Sequence, residues 1–152
     1  MNQLLSLPAV MVALTSCAAP LGSSLSLAPV PYTMAVPESI ISRLSVSSLT
    51  GPYGEVAQQA GAVAATTVYY TPGSGQPSIF MTAYYFPAEA FDAAQNPQEP
   101  PPFGQPVIRS QGHVLSIAGP TDMMFDPSSE DGRNINTLYD LIYQSETYSQ
   151  NL

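Results

Sequence analysis

The residues able to do chemistry are few. His113 is the only histidine and Cys17 the only cysteine. A Ser-His-Asp hydrolase needs its nucleophile on a strained elbow such as G-x-S-x-G, and no such motif occurs. Gly73-Ser74-Gly75 falls in a predicted hairpin loop, and His113 next to a predicted turn, where a strand-edge histidine is the expectation. One histidine and one cysteine do not make a conventional zinc site. The densest polar cluster is "DMMFDPSSEDG", which holds Asp122, Asp126, Glu130 and Asp131. Calcium takes six to eight oxygens, but the spacing is not that of an EF-hand, since no bidentate Glu closes the loop. Acids before a helix also complement its macrodipole, so capping of a following helix is the reading preferred over metal. Glycoside hydrolysis needs two opposed carboxylates; here the acids are scattered and no Trp is present to stack on a sugar. No cofactor is expected.

The thiol has a clearer context. "MNQLLSLPAVMVALTSCAAP" opens with an apolar core at residues 4–14. Crossing a bilayer takes about 20 apolar residues, so this run suits the h-region of a secretory signal. Leu14-Thr15-Ser16-Cys17 resembles a bacterial lipobox. The resemblance covers about the first eighteen residues and implies cleavage before Cys17, diacylglycerol on its sulfur, and a cell-envelope address. Ala18, rather than Asp, after the cysteine implies the periplasmic face of the outer membrane in a Gram-negative host. An ordinary signal cut after Ala18, from the small-x-small pattern Ser16-Cys17-Ala18, and a buried N-terminal helix with a core cysteine are the alternatives. Acylation would leave the mature chain no free thiol, which removes thiolate, zinc–thiolate and redox chemistry.

Bulk composition narrows the partners. Only 9% of the 152 residues are charged, against roughly 25% in an average soluble chain. Lysine is absent, Arg43, Arg109 and Arg133 are the only cations, and the formal net charge is −8. Nucleic acid is therefore not an expected partner, because its affinity comes largely from cations on phosphate. The same deficit excludes a polybasic lipid patch. The expected contacts are membrane lipid through acylated Cys17 and an unknown protein partner or a second copy.

These residues need a scaffold. Residues 1–16 are expected as the signal, 17–31 as the lipidated cysteine with a Pro/Ser/Gly/Ala tether, 32–145 as one domain, and 146–152 as a polar, fraying tail. Residues 42–49 alternate apolar and serine as a half-buried strand does, "TGPYG" reads as a turn, and 55–61 stay ambiguous. "AVAATTVYYT" and "SIFMTAYYF" are rich in β-branched and aromatic residues and flank the turn-forming "PGSGQP", which predicts a hairpin. Pro87 opens a short predicted helix over 87–95. Five prolines make 96–106 a stiff connector. Residues 107–119 predict a second hairpin turning at Gln111-Gly112. Ile135, Leu138, Tyr139, Ile142 and Tyr143 share one face of a helix predicted over 134–144, with a capping box Ser128-x-x-Asp131 before it.

The expected class is α+β: an antiparallel β-sheet built from hairpins, with one short helix and a C-terminal amphipathic helix packed on it. The strand at 78–86 is apolar on both faces, so two helices cannot cover it. One tyrosine of each doublet, Tyr69 or Tyr70 and Tyr84 or Tyr85, is therefore a possible interface, unless a second sheet buries them within the chain. The function expected is a membrane-anchored, non-enzymatic envelope lipoprotein binding a protein partner or apolar ligand. The alternatives are a small secreted hydrolase or a structural envelope component.

Overall fold

The computed structural model describes residues 21–120 and 125–151. The chain is α+β, with two antiparallel sheets rather than one. Strands β1 (Ser23–Ser26), β2 (Tyr32–Val36) and β8 (Tyr148–Gln150) form a small sheet in the order β1-β2-β8. Strands β3 (Leu44–Ser48), β4 (Ala64–Tyr70), β5 (Ser78–Pro87), β6 (Gln105–Ser110) and β7 (His113–Ala118) form the larger one in the order β3-β4-β5-β7-β6. Among the described residues four helices join them: α1 (Glu38–Ile41), α2 (Gly51–Gln59), α3 (Ala88–Ala93) and α4 (Glu130–Ile142).

The second sheet answers the two-sided strand. Val68, Phe80, Met81, Leu115 and Ile117 from the large sheet share one core with Met34, Val36 and Tyr148 from the small sheet and with Ile135, Leu138 and Ile142 of α4. The outer face of the large sheet carries a second cluster, Phe86 and Val114 under Ala57 of α2, Phe91 of α3 and Phe103. A bulge in β5 brings one more side chain into the first of these cores. Val68 pairs with Met81 but Tyr69 pairs with Ile79, so Phe80 is the extra residue. An extra residue reverses the side-chain alternation beyond it. Phe80 and Met81 are thus both buried, while Ile79, expected beside Met81, is 55% exposed.

Three boundary expectations need correction. The tether ends early: β1 begins at Ser23, and Leu27 and Val30 are buried in the main core. The Thr66 hydroxyl donates to the Leu27 carbonyl at 2.6 Å, tying this segment to β4. Its uncharged Ser/Pro composition resembles a linker because only three of its side chains, Leu25, Leu27 and Val30, pack on the core. The tail does not fray. After a 3-10 turn at Ser145–Thr147, β8 pairs with β2, and the Tyr148 hydroxyl donates to the Ile142 carbonyl at 2.6 Å. Helix α4 starts four residues before the expected position. Its N-cap is Ser129, whose hydroxyl accepts from Gly132 N, while Ser128 turns to Asp126. Of the apolar stripe, Ile135, Leu138 and Ile142 are buried, but Tyr139 and Tyr143 point outward and pack edge-to-face on each other. Both predicted hairpins form. Gln111 and Gly112 at the second turn take φ values of 53° and 77°, the left-handed pair that a two-residue hairpin turn requires.

Candidate functional site

The most site-like concavity lies beside α2, whose first residues, 51–54, were expected as a turn and instead form the opening turn of the helix, and whose remainder the sequence left ambiguous. Pro52 stands in the first turn of this helix, where no N–H is needed. The helix ends on Gly61 at φ 105°, with Gly61 N donating to Gln58 O and Ala62 N to Ala57 O. That is the Schellman arrangement, which favours glycine. Gly54 lets the helix approach the end of β3, since a Cβ there would stand 2.7 Å from the Leu49 carbonyl oxygen. Only Ala57 of the helix is buried.

Around this helix runs an open groove of about 380 Å³. Its walls are small or apolar, with Pro29, Leu49, Gly51, Gly54, Ala57 and residues 62–65, and Ser48, Thr50, Glu55 and Gln58 add polar groups. Tyr53, Val56 and Val63 stand 79%, 55% and 62% exposed on and beside α2. This is the only place among the described residues where three large apolar side chains so exposed fall within eleven positions. A groove of this composition can take an apolar group and hydrogen-bond its edges. It holds no nucleophile–base pair. The signals that could have found it are Pro52 as a helix start and Gly61 as its stop.

The residues singled out by sequence are dispersed. Cys17 and Asp122 lie outside the described residues. The tyrosines divide between the two faces of the large sheet. Tyr70 is fully buried, and its hydroxyl donates to Asp131 at 2.7 Å and accepts from Asn134 Nδ2 at 3.1 Å. Tyr85 is half-buried, stacked on His113 with ring centroids 4.8 Å apart. Tyr84 is half-buried on the outer face against Phe103. Tyr69, half-buried, pairs with the exposed Ile79 on the part of that face next to β3. Burial raises the hydroxyl pKa of Tyr70 and Tyr84.

The acidic residues each have separate work. Asp126 accepts from the hydroxyl and N–H of Ser128, which hold its carboxyl below the usual range. Asp131 is held low first by the Tyr70 hydroxyl, then by Gly73 N–H and the Arg43 charge. Glu130 lies 3.8 Å from Arg43. No group of three or more His, Cys, Asp or Glu residues able to hold a metal occurs among the described residues. His113 Nδ1 sits 3.2 Å from the Gln111 carbonyl, and no described carboxylate hydrogen-bonds its ring. Arg109 donates to Asp92 through its two terminal guanidinium nitrogens and lies over the Phe91 ring, fastening α3 to β6.

No protein-family model, no curated protein and no solved structure matches this chain.

Proposed function

We propose that this chain is a membrane-anchored envelope lipoprotein, held by an acylated Cys17, whose domain binds without catalysing. The groove beside α2 receives an apolar segment of a protein partner. The lipobox-like Leu14-Thr15-Ser16-Cys17 supports the anchor. The observation that carries the binding reading is this open, small-walled groove with Val63 exposed in its wall; Tyr53 and Val56 are exposed on the same helix outside it. Exposed apolar groups concentrated at a concavity mark contact sites more often than scattered ones do. With a net charge of −8 and three arginines, the partner surface is apolar or basic rather than anionic. No described helix is long and apolar enough to cross a membrane, so attachment in this reading depends on Cys17.

Two measurements test the two halves separately. Intact-mass analysis of the membrane fraction should show an acylated chain starting at Cys17, and Cys17→Ser should release the protein. An unmodified Cys17 there refutes the anchor. Gln58→Glu with Val63→Glu alters exposed groove-lining side chains only, so the fold should persist. Affinity capture from envelope extracts should lose its apolar-dependent partner with this variant. An identical set of captured proteins refutes the groove.

A further inference from the structure

Strand β3 is an outer strand of the large sheet. Its ladder with β4 is regular, Leu44 opposite Tyr70 through Ser48 opposite Thr66, with no bulge. The bonds at its two ends fix which groups are engaged. Thr71 N donates to Arg43 O at 2.8 Å and Leu49 N donates to Ala65 O at 3.0 Å. Bonded and non-bonded pairs alternate along an antiparallel ladder. The odd-numbered residues of β3 therefore turn their N–H and C=O groups toward β4. Leu44, Val46 and Ser48 turn theirs outward, and no hydrogen bond to those groups occurs among the described residues.

The other outer strands are protected in familiar ways. β6 carries Pro106, a bulge at Val107, and Arg109 tied to Asp92. β8 is three residues long and β1 four. β3 has none of these devices: five residues, no proline, no charge, no bulge. A row of unpaired backbone groups is a template for another strand.

We propose that β3 pairs with β3 of a second copy, antiparallel about a two-fold axis through Val46, joining two five-stranded sheets into one of ten. The outward groups select this register. Val46 pairs with its own counterpart, and Leu44 pairs with the partner's Ser48 in both directions, giving six backbone bonds. Leu44 and Val46 then continue the inner apolar face across the axis, while Ser45 and Ser47 stand opposite each other on the outer face. No charge opposes a like charge, although each chain is acidic overall. A second copy is favoured over an extended peptide because its strand is already ordered, whereas a free peptide must lose its conformational freedom to pair. The contact is self-complementary, as a two-fold interface requires. It is independent of whether Cys17 is acylated.

The test uses the full chain carrying Cys17→Ser in dilute non-ionic detergent, so that neither lipid nor a disulfide links copies. Sedimentation velocity from micromolar to near-millimolar concentration should show a reversible monomer–dimer equilibrium. Amide exchange at Leu44, Val46 and Ser48 should slow as concentration rises, and that at the odd-numbered positions should not change. Ser45→Asp with Ser47→Asp sets like charges directly opposite and should weaken the dimer about ten-fold or more. The Lys pair at the same positions should do the same, and mixing the two variants should restore a heterodimer. Ser48→Pro removes an outward N–H that β4 does not use, so the monomer should melt normally while the dimer weakens. A monomer throughout, a concentration-independent exchange rate at the three amides, or a dimer indifferent to these changes would overturn the pairing.

Discussion

Leu138 is the position at which the fold can be challenged most directly. It lies in α4 with no exposed surface, between Ile135 and Ile142 on the same stripe, within the core shared by both sheets. Leu138→Ala removes three carbons from a site walled by strands on two sides, which cannot collapse freely. The expected cost is the transfer term plus the cavity term, about 2–5 kcal/mol. For a domain of this size that is a large share of a total of about 5–15 kcal/mol. At about 4 °C per kcal/mol it should lower the melting temperature by about 8–20 °C. Tyr139 is the next residue along and is 49% exposed. Tyr139→Ala should cost about 0.5 kcal/mol or less. Urea melts followed by far-UV circular dichroism compare the two with the same slope. Equal losses at Leu138 and Tyr139, or a Leu138→Ala chain within 1 kcal/mol of the parent (roughly the lower edge for any buried truncation), would refute the placement of α4.

Glycine 104 takes φ 74°, and a Cβ there would strike the Ile117 carbonyl, so Gly104→Ala should prevent soluble expression or lower the melting midpoint more than any surface change. Gln111 holds φ 53° without being glycine, and Gln111→Gly should raise stability by about 0.5–1 kcal/mol in urea melts. Asp131 and Asp126 are held below the usual carboxylate range. Their contribution is therefore present above the unfolded value of about 4 and is lost as pH falls through the folded values; urea midpoints from pH 7 to pH 2 should fall, and Asp131→Asn should flatten that fall. Tyr70 and Tyr148 are shifted up by burial, so their contribution is complete below the unfolded value of about 10 and is lost as pH rises beyond it, which ultraviolet titration of the folded chain would detect as delayed ionisation.

How much of this was legible depends on what each segment must bury. Both hairpins could be read because β-branched and aromatic runs flank strong turn formers, and Gln111-Gly112 sits where the chain must reverse. The class could be read for the same reason. The second sheet could not. Its strands β1 and β8 are four and three residues long and carry one large apolar or aromatic residue each among serines and a glutamine, and their partner β2 lies far from β8 in sequence. Pairing across more than a hundred residues leaves no local trace. The bulge at Phe80 was equally silent, because period-2 alternation presumes an unbroken ladder. The α2 groove was missed because its walls are alanines and glycines, residues that neither periodicity nor charge distinguishes. The stripe on α4 was read too wide, since tyrosine fits a helix face that is half wet as well as one that is dry.

Anchoring and architecture together restrict how the domain would sit. Six residue steps separate Cys17 from Ser23, where β1 begins. At about 3.5 Å per residue that span reaches at most about 20 Å. An acylated Cys17 would therefore hold the start of β1 close to the bilayer, along with Glu38 of α1, whose side chain lies beside Gly22. Pro29 of the groove lies beyond the other end of that strand, about 13 Å farther for four extended residues. With the strand directed away from the bilayer, the groove would lie farther from the lipid than the start of β1. Fluorophores attached through Glu38→Cys and Tyr53→Cys, in a chain whose own Cys17 is acylated, measure this directly. Headgroup-linked quenchers should quench the label at 38 more strongly than the label at 53. Insertion of ten Gly/Ser residues after Ala19 should erase the difference without changing the melting temperature, because only the reach of the linker changes. Stronger quenching at 53, or a difference that survives the insertion, would show that the domain is oriented by something other than its short link to Cys17.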